Sequence, residues 1–202
     1  MAGGLPSART ETSVERPSFL GSALFDTKAG TLAAGHGALK PGTVLGKVTA
    51  SGKLAPVART TVNAASASGQ KVVNVADAGK IQIGNTVKIT RADDKTAYDQ
   101  GVVTDRDTES AQNTITMTDN LANSYSSGDL ARVVDGSETA VGILLQYADS
   151  GASSDDEDYG DKGVAIVIAG NVVAGNCTGL DEQGRSDLNT AETGVIYFSD
   201  RI

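Results

Sequence analysis

From Lys40 to Val57 the sequence reads KPGTVLGKVTASGKLAPV, and its apolar and polar positions outline the first half of a small β-unit. Pro41-Gly42 makes a turn, Thr43 to Thr49 alternates with the period of a strand, Ser51-Gly52 turns again, and Lys53 to Val57 starts back. The natural sequel is GSETAVGILLQYADS, Gly136 to Ser150, which lies about eighty residues downstream. Within that second segment Ala140 to Ala148 is a nearly continuous apolar run, the pattern of a buried strand.

The stretch between them, residues 60–134, has its own texture. Gln70 to Val75 alternates, and Ile81, Ile83, Val87 and Ile89 fall on odd positions around Gly84-Asn85, which predicts a hairpin. Gly101 to Val103, Thr114 to Thr118 and Leu130 to Val134 predict further short strands, separated by turn residues. Strands of this length and spacing predict a small antiparallel barrel or sandwich, inserted whole at a loop of the outer unit. No segment sustains a helical period.

After Ser150 comes a polar, acidic loop, SGASSDDEDYGDKG. Gly163 to Gly175 predicts two strands about a Gly170-Asn171 turn. A helix is expected over Ser186 to Glu192, with Ser186 as N-cap and Gly194 as C′, and Val195 to Ser199 predicts a closing strand.

The first forty residues follow a different rule. Met1 to Ser18 is rich in Gly, Ser, Thr and Pro and has too few apolar groups to offset the entropy of ordering. An apolar cluster of Phe19, Leu20, Leu24 and Phe25 follows. Two readings stay open: an arm that orders on a partner, or a segment whose cluster packs under this protein's own β-domain.

Composition narrows the class. Of 202 residues, 39% are hydrophobic but only 4% aromatic, with no Trp and 24 Gly, so the core rests on Val, Ile, Leu and Ala in thin β-layers. A formal charge of −8 opposes binding to nucleic acid phosphates. No run of eighteen apolar residues is present to span a membrane, and the first residues lack the apolar core of a signal peptide, which points to synthesis in a cytoplasm.

Candidate chemistry is sparse. The single His36 lies in a Gly-rich GHG, and the single Cys177 reads as a small core or turn residue. Asn176-Cys177-Thr178 matches a glycosylation sequon without any sign of secretion, and GHGALKPG lacks the ending of a phosphate loop. Asp155, Asp156, Glu157, Asp158 and Asp161 offer oxygen ligands, but without the alternate spacing of a calcium loop, and read as a solvated surface. No nucleophile, acid and base constellation appears, so the expectation is a protein that is not an enzyme and uses no cofactor or metal.

The outer segments GTVLGKVTASGKLAPV, ETAVGILLQYADS, GVAIVIAGNVVAGNCTGLD and TGVIYFSDRI resemble the head decoration proteins of tailed phages, the family of the lambda decoration protein. Gly52-Lys53-Leu54 matches the family's turn-Gly-Lys-Leu step and Ala140-Val141-Gly142-Ile143-Leu144 its AVGIL strand, over residues 14–59 and 135–202. The resemblance implies a mainly β fold. An extended N-terminal arm (1–40) leads into a small β-tulip domain (41–59 and 135–202), with the departure at 60–134 an inserted small β domain. It implies a homotrimer on the outer surface of the virion capsid, at threefold and quasi-threefold positions of the expanded head, holding it against internal DNA pressure. The partner implied is the major capsid protein. The arm residues expected to reach it are Thr10, Glu11, Thr12, Ser13, Val14 and Glu15 as an added strand and Phe19, Leu20, Leu24 and Phe25 as pocket fillers. The alternative is a β-rich host-receptor or glycan-binding module, with 60–134 as reader and Tyr98 and Tyr125 as its aromatic groups.

Overall fold

A computed structural model of the chain describes residues 17–109, 113–189 and 195–199. The protein is mainly β. In chain order the strands are β1 (Leu20–Leu32), β2 (Ala38–Leu39), β3 (Val44–Lys47), β4 (Leu54–Pro56), β5 (Arg59–Thr61), β6 (Val72–Asn74), β7 (Thr86–Thr90), β8 (Tyr98–Asp107), β9 (Thr114–Met117), β10 (Leu130–Val133), β11 (Ala140–Leu144), β12 (Ala148–Asp149), β13 (Lys162–Val173) and β14 (Ile196–Ser199). One helix, α1 (Glu182–Leu188), lies between the last two.

Two closed sheets result. In the first the order is β1-β4-β3-β11-β13-β14, and β1 also pairs with β13, so five strands close into a barrel with β14 added parallel to the far half of β13. Its interior follows from strand alternation: Leu32, Leu45, Leu54, Leu144, Val164 and Ile166 point inward together. The outward face buries Phe19, Leu20, Val44, Val57, Ile143, Val167 and Val172 against Leu188 of α1 and Ile196 of β14. The second sheet runs β5-β10-β7-β8-β9-β6, and the bridge Val62↔Val75 joins the last strand back to the first. Its core is mostly Val, Ile and Ala, with Met117, Leu121 and one large ring, Tyr125.

Four expectations are corrected. Residues 20–32, expected within the arm, form the longest strand of the first barrel. Ile81 to Ile89 is not a hairpin. The Asp77 carboxylate accepts from Gly79 N and caps a 3-10 turn at Ala78–Lys80, Asn85 Oδ1 accepts from Gln82 N, and only β7 follows as strand. Gly170-Asn171 is no turn either, since β13 runs through it. Gly170 takes φ +136°, and a Cβ there would stand 2.8 Å from that of Phe25, so its glycine serves a crowded strand crossing. The helix starts earlier than Ser186, at Glu182, because Asp181 accepts from Gly184 N as N-cap; Gly194 lies outside the described residues.

Candidate partner-binding surface

Thr10, Glu11, Thr12, Ser13, Val14 and Glu15 lie outside the described residues. Where the chain is described, it is fastened at once. Leu20 N donates to Pro17 O at 3.0 Å, Asn176 Nδ2 to Ser18 O at 2.9 Å, and Val173 N to Phe19 O at 2.7 Å. Phe19 and Leu20 are buried in the first barrel's outward core and Phe25 is half-buried against it. These three therefore fill pockets of their own domain, a correction to their place among the partner-binding residues. The reason is local: Phe19 sits in the turn that enters β1, Leu20 and Phe25 sit on β1, and the residues they pack against offer the same apolar surface a partner would. Leu24 alone of the four is exposed, at 84%.

A break in register produces that exposure. Leu20 faces Val172 and Phe25 faces Gly170, so Gly21 to Leu24 stand across from the single residue Asn171. The surplus residues swell outward as a bulge. Gly21 fits there closely: a Cβ would come within 2.9 Å of Asn171 Oδ1 and 3.2 Å of its backbone oxygen. That oxygen is buried and has no hydrogen-bond partner among the described residues. On the other edge of β13, Val195 O accepts from Gly170 N at 3.2 Å and Tyr197 stands across from Asn171. Tyr197 is 67% exposed, Val195 is exposed beside it, and among the described residues no strand pairs with the outer edge of β14. The root of the leader, the Leu24 bulge and β14 thus all rest on four consecutive residues, Gly170 to Val173.

The two barrels are joined by a buried cation. Arg59, on β5 at the start of the inserted sheet, is 3% exposed. Its Nε donates to Asp181 Oδ2 at 2.8 Å, and Nη1 donates to Asp187 Oδ2 at 2.9 Å and to Glu138 O at 2.6 Å. Asp187 Oδ2 also accepts from Ala140 N, and the helix passes over the guanidinium at Gly184, where a Cβ would lie 3.0 Å from Nη2. Burial by itself raises the Asp181 carboxyl. The hydrogen bonds from Arg59 and Gly184 N, with the charges of Arg59 and Lys80, outweigh it and hold the group below the usual carboxylate range. Sequence reasoning missed this cluster, since the partners stand 122 and 128 positions apart.

His36 is held toward its neutral form by burial, against the opposing charge of Asp135. Burial pushes the Cys177 thiol up to about 11, which makes it a poor nucleophile. Asp156 accepts from the backbone N–H groups of Ala152 and Ser153, so it shapes the acidic loop, and among the described residues no three acidic, His or Cys groups converge as metal ligands. Of the two tyrosines of the insert, Tyr98 carries Lys88 Nζ 3.8 Å from its ring centre, and Tyr125 is buried. Tyr125 Oη donates to Asp99 Oδ2 at 2.7 Å, tying the last turn of the insert to β8. Tyr125→Phe leaves the Asp99 carboxylate short of one donor inside the barrel wall and is expected to cost about 1–2 kcal/mol in urea denaturation; an unchanged midpoint would show that the bond adds nothing.

Comparison of the chain with protein-family models, with curated proteins and with solved structures returns no match.

Proposed function

We propose that this protein is a capsid decoration protein. As a homotrimer it binds the outer surface of an expanded phage head at threefold and quasi-threefold positions, and its leader, residues 1–16, engages the major capsid protein. The observation that carries this reading is the convergence of the leader's root, exposed Leu24 and exposed Tyr197 on Gly170 to Val173. A polar leader adds main-chain hydrogen bonds to a partner's sheet edge, while the apolar groups at its root fill shallow pockets. Binding the expanded shell and not its precursor stabilises the expanded state by mass action, and repeated engagement over the lattice adds avidity. The acidic surface suits a position outside the shell, away from packaged DNA.

Removal of residues 1–16 tests this. The truncated chain keeps Phe19 and Leu20 in place, so both barrels remain folded, yet it no longer co-sediments with expanded, undecorated heads. Leu24→Asp weakens binding in the full chain without moving its melting temperature. Full head binding by the truncated chain would count against the reading. Truncation at residue 25 is not an equivalent test, because it removes Phe19 and Leu20 from the core.

A further inference from the structure

The first barrel has one open end. Its inward rows run Leu32, Gly30, Lys28 on β1, Leu45, Lys47 on β3, and Val164, Ile166, Ile168 on β13. The Leu32–Leu45–Val164 end is filled by Leu144 and Ala148, with Leu39 packed against them. At the other end Leu54, Val141, Ile166 and Ile168 form an apolar floor under a cavity of about 250 Å³, and Lys28 and Lys47 stand at its rim. Neither lysine forms an ion pair among the described residues, although the chain as a whole carries −8. Mouths of small barrels are places where ligand groups seat.

The rim has a second property. β1 pairs along its length with β13, but on its other edge it meets β4 only at Leu32↔Leu54, where Ala33 N donates to Leu54 O. Among the described residues, 26–31 of β1 therefore have an edge that no strand covers, and that edge runs beside the mouth. At Gly30, where β1 has no side chain of its own, the Leu54 side chain fills the adjacent space, and a Cβ would stand 2.5 Å from Leu54 Cδ1.

We propose that this seam takes an extended segment of a partner protein. Its backbone pairs with β1, one large apolar side chain enters the mouth, and carboxylates two positions to either side meet Lys28 and Lys47. The size of the cavity suits one Leu-sized or Phe-sized side chain. The period of two puts residues i−2 and i+2 on the same face as the inserted group, toward the lysines. The uncovered edge supplies the main-chain bonds, and the two cations select an acidic strand over a basic one. This site does not use the Gly170 to Val173 surface and needs no capsid to be tested.

Fluorescence polarisation with labelled, end-blocked peptides on the full chain provides the test. TETLTET binds; TETSTET, without the apolar group, and TKTLTKT, with the charges reversed, bind at least about tenfold more weakly. The double variant Lys28→Glu/Lys47→Glu inverts the preference between TETLTET and TKTLTKT, and Val141→Trp, which fills the mouth, abolishes both. Amide exchange of residues 27–31 slows in the TETLTET complex. Melting curves confirm that each variant is folded; because the charge variant alters only exposed rim residues, its inverted preference keeps the proposal testable if Val141→Trp misfolds. Absence of TETLTET binding, or binding indifferent to the lysine reversal, overturns the proposal. So does binding of sodium octanoate with that charge dependence where the peptides fail, since the mouth would then be a small-acid site and the seam irrelevant.

Discussion

Arg59→Ala lowers the stability of the protein by about 3–5 kcal/mol, the cost of stripping one partner from a buried, hydrogen-bonded ion cluster. The guanidinium satisfies two carboxylates and the Glu138 carbonyl where the inserted sheet, the α1 helix and the returning chain meet. Alanine takes the Arg59 guanidinium away from Asp187, whose side chain is 11% exposed, and leaves a cavity under Gly184. Arg59→Lys recovers only part of the loss, because an ammonium cannot reproduce the fork that spans Asp181 and Asp187. The acid limb carries a second signature. Asp181 titrates below its unfolded value, so the stabilisation is complete above the ordinary carboxylate pKa of about 3.9 and disappears as pH falls through the lower folded value. In Arg59→Ala the stability therefore falls less steeply over that acid window than in the parent protein. Urea denaturation between neutral pH and pH 3 measures both effects; a parent-like midpoint at neutral pH, or an unchanged acid slope, would show that the cluster is not what joins the barrels.

Gly46→Ala is expected to cost at least about 3 kcal/mol, the upper end of overpacking penalties, because nothing at the site can give way cheaply. A Cβ on Gly46 would lie 2.0 Å from Ser137 O and 2.8 Å from Thr139 O, both backbone atoms. That backbone is itself held: Thr49 N donates to Asp135 O at 2.7 Å, and Ser137 is buried with its amide on Asp135 Oδ1. Relief requires moving the segment that returns the chain from the insert into β11, which also carries the Glu138 carbonyl bound by Arg59. Gly69→Ala is the control. Gly69 has φ +81° and nothing within 4 Å of a Cβ, so it pays only the left-handed backbone penalty of about 1–2 kcal/mol. Equal losses for the two variants, read from urea midpoints, would remove the close approach as the cause.

What the sequence made legible was alternation. β9, β10 and β14 lie within a residue or two of where their apolar periods put them, because each has one face in a core and one outside; β3 lies as close although both of its faces are covered, Val44 in one core and Leu45 in another. Misreadings fall where a side chain or a neighbouring strand outweighs the local pattern. Asp77 and Asn85 bind nearby amides and draw Ile81 and Ile83 out of a hairpin. Gly170-Asn171 has the composition of a turn but is flanked on both edges by β1 and β14, so the strand continues through it. The surface at the leader's root was half legible. An apolar cluster was visible, but burial of Phe19 and Leu20 against exposure of Leu24 depends on a three-residue surplus in β1 that no single-strand pattern encodes. Arg59 gave no local signal at all, being one basic residue in an ordinary strand until the fold brings Asp181 and Asp187 to it.

The reading of the protein as a shell clamp rests on its first sixteen residues reaching another polypeptide. Electron cryomicroscopy of expanded, undecorated heads saturated with either the full chain or the chain lacking residues 1–16 tests that most directly. The account predicts threefold-symmetric density on the outer surface with the full chain, its leader continuous with the capsid protein beneath, and bare heads with the truncated chain. Equal density from both chains, or a leader packed wholly on its own barrel, would contradict it.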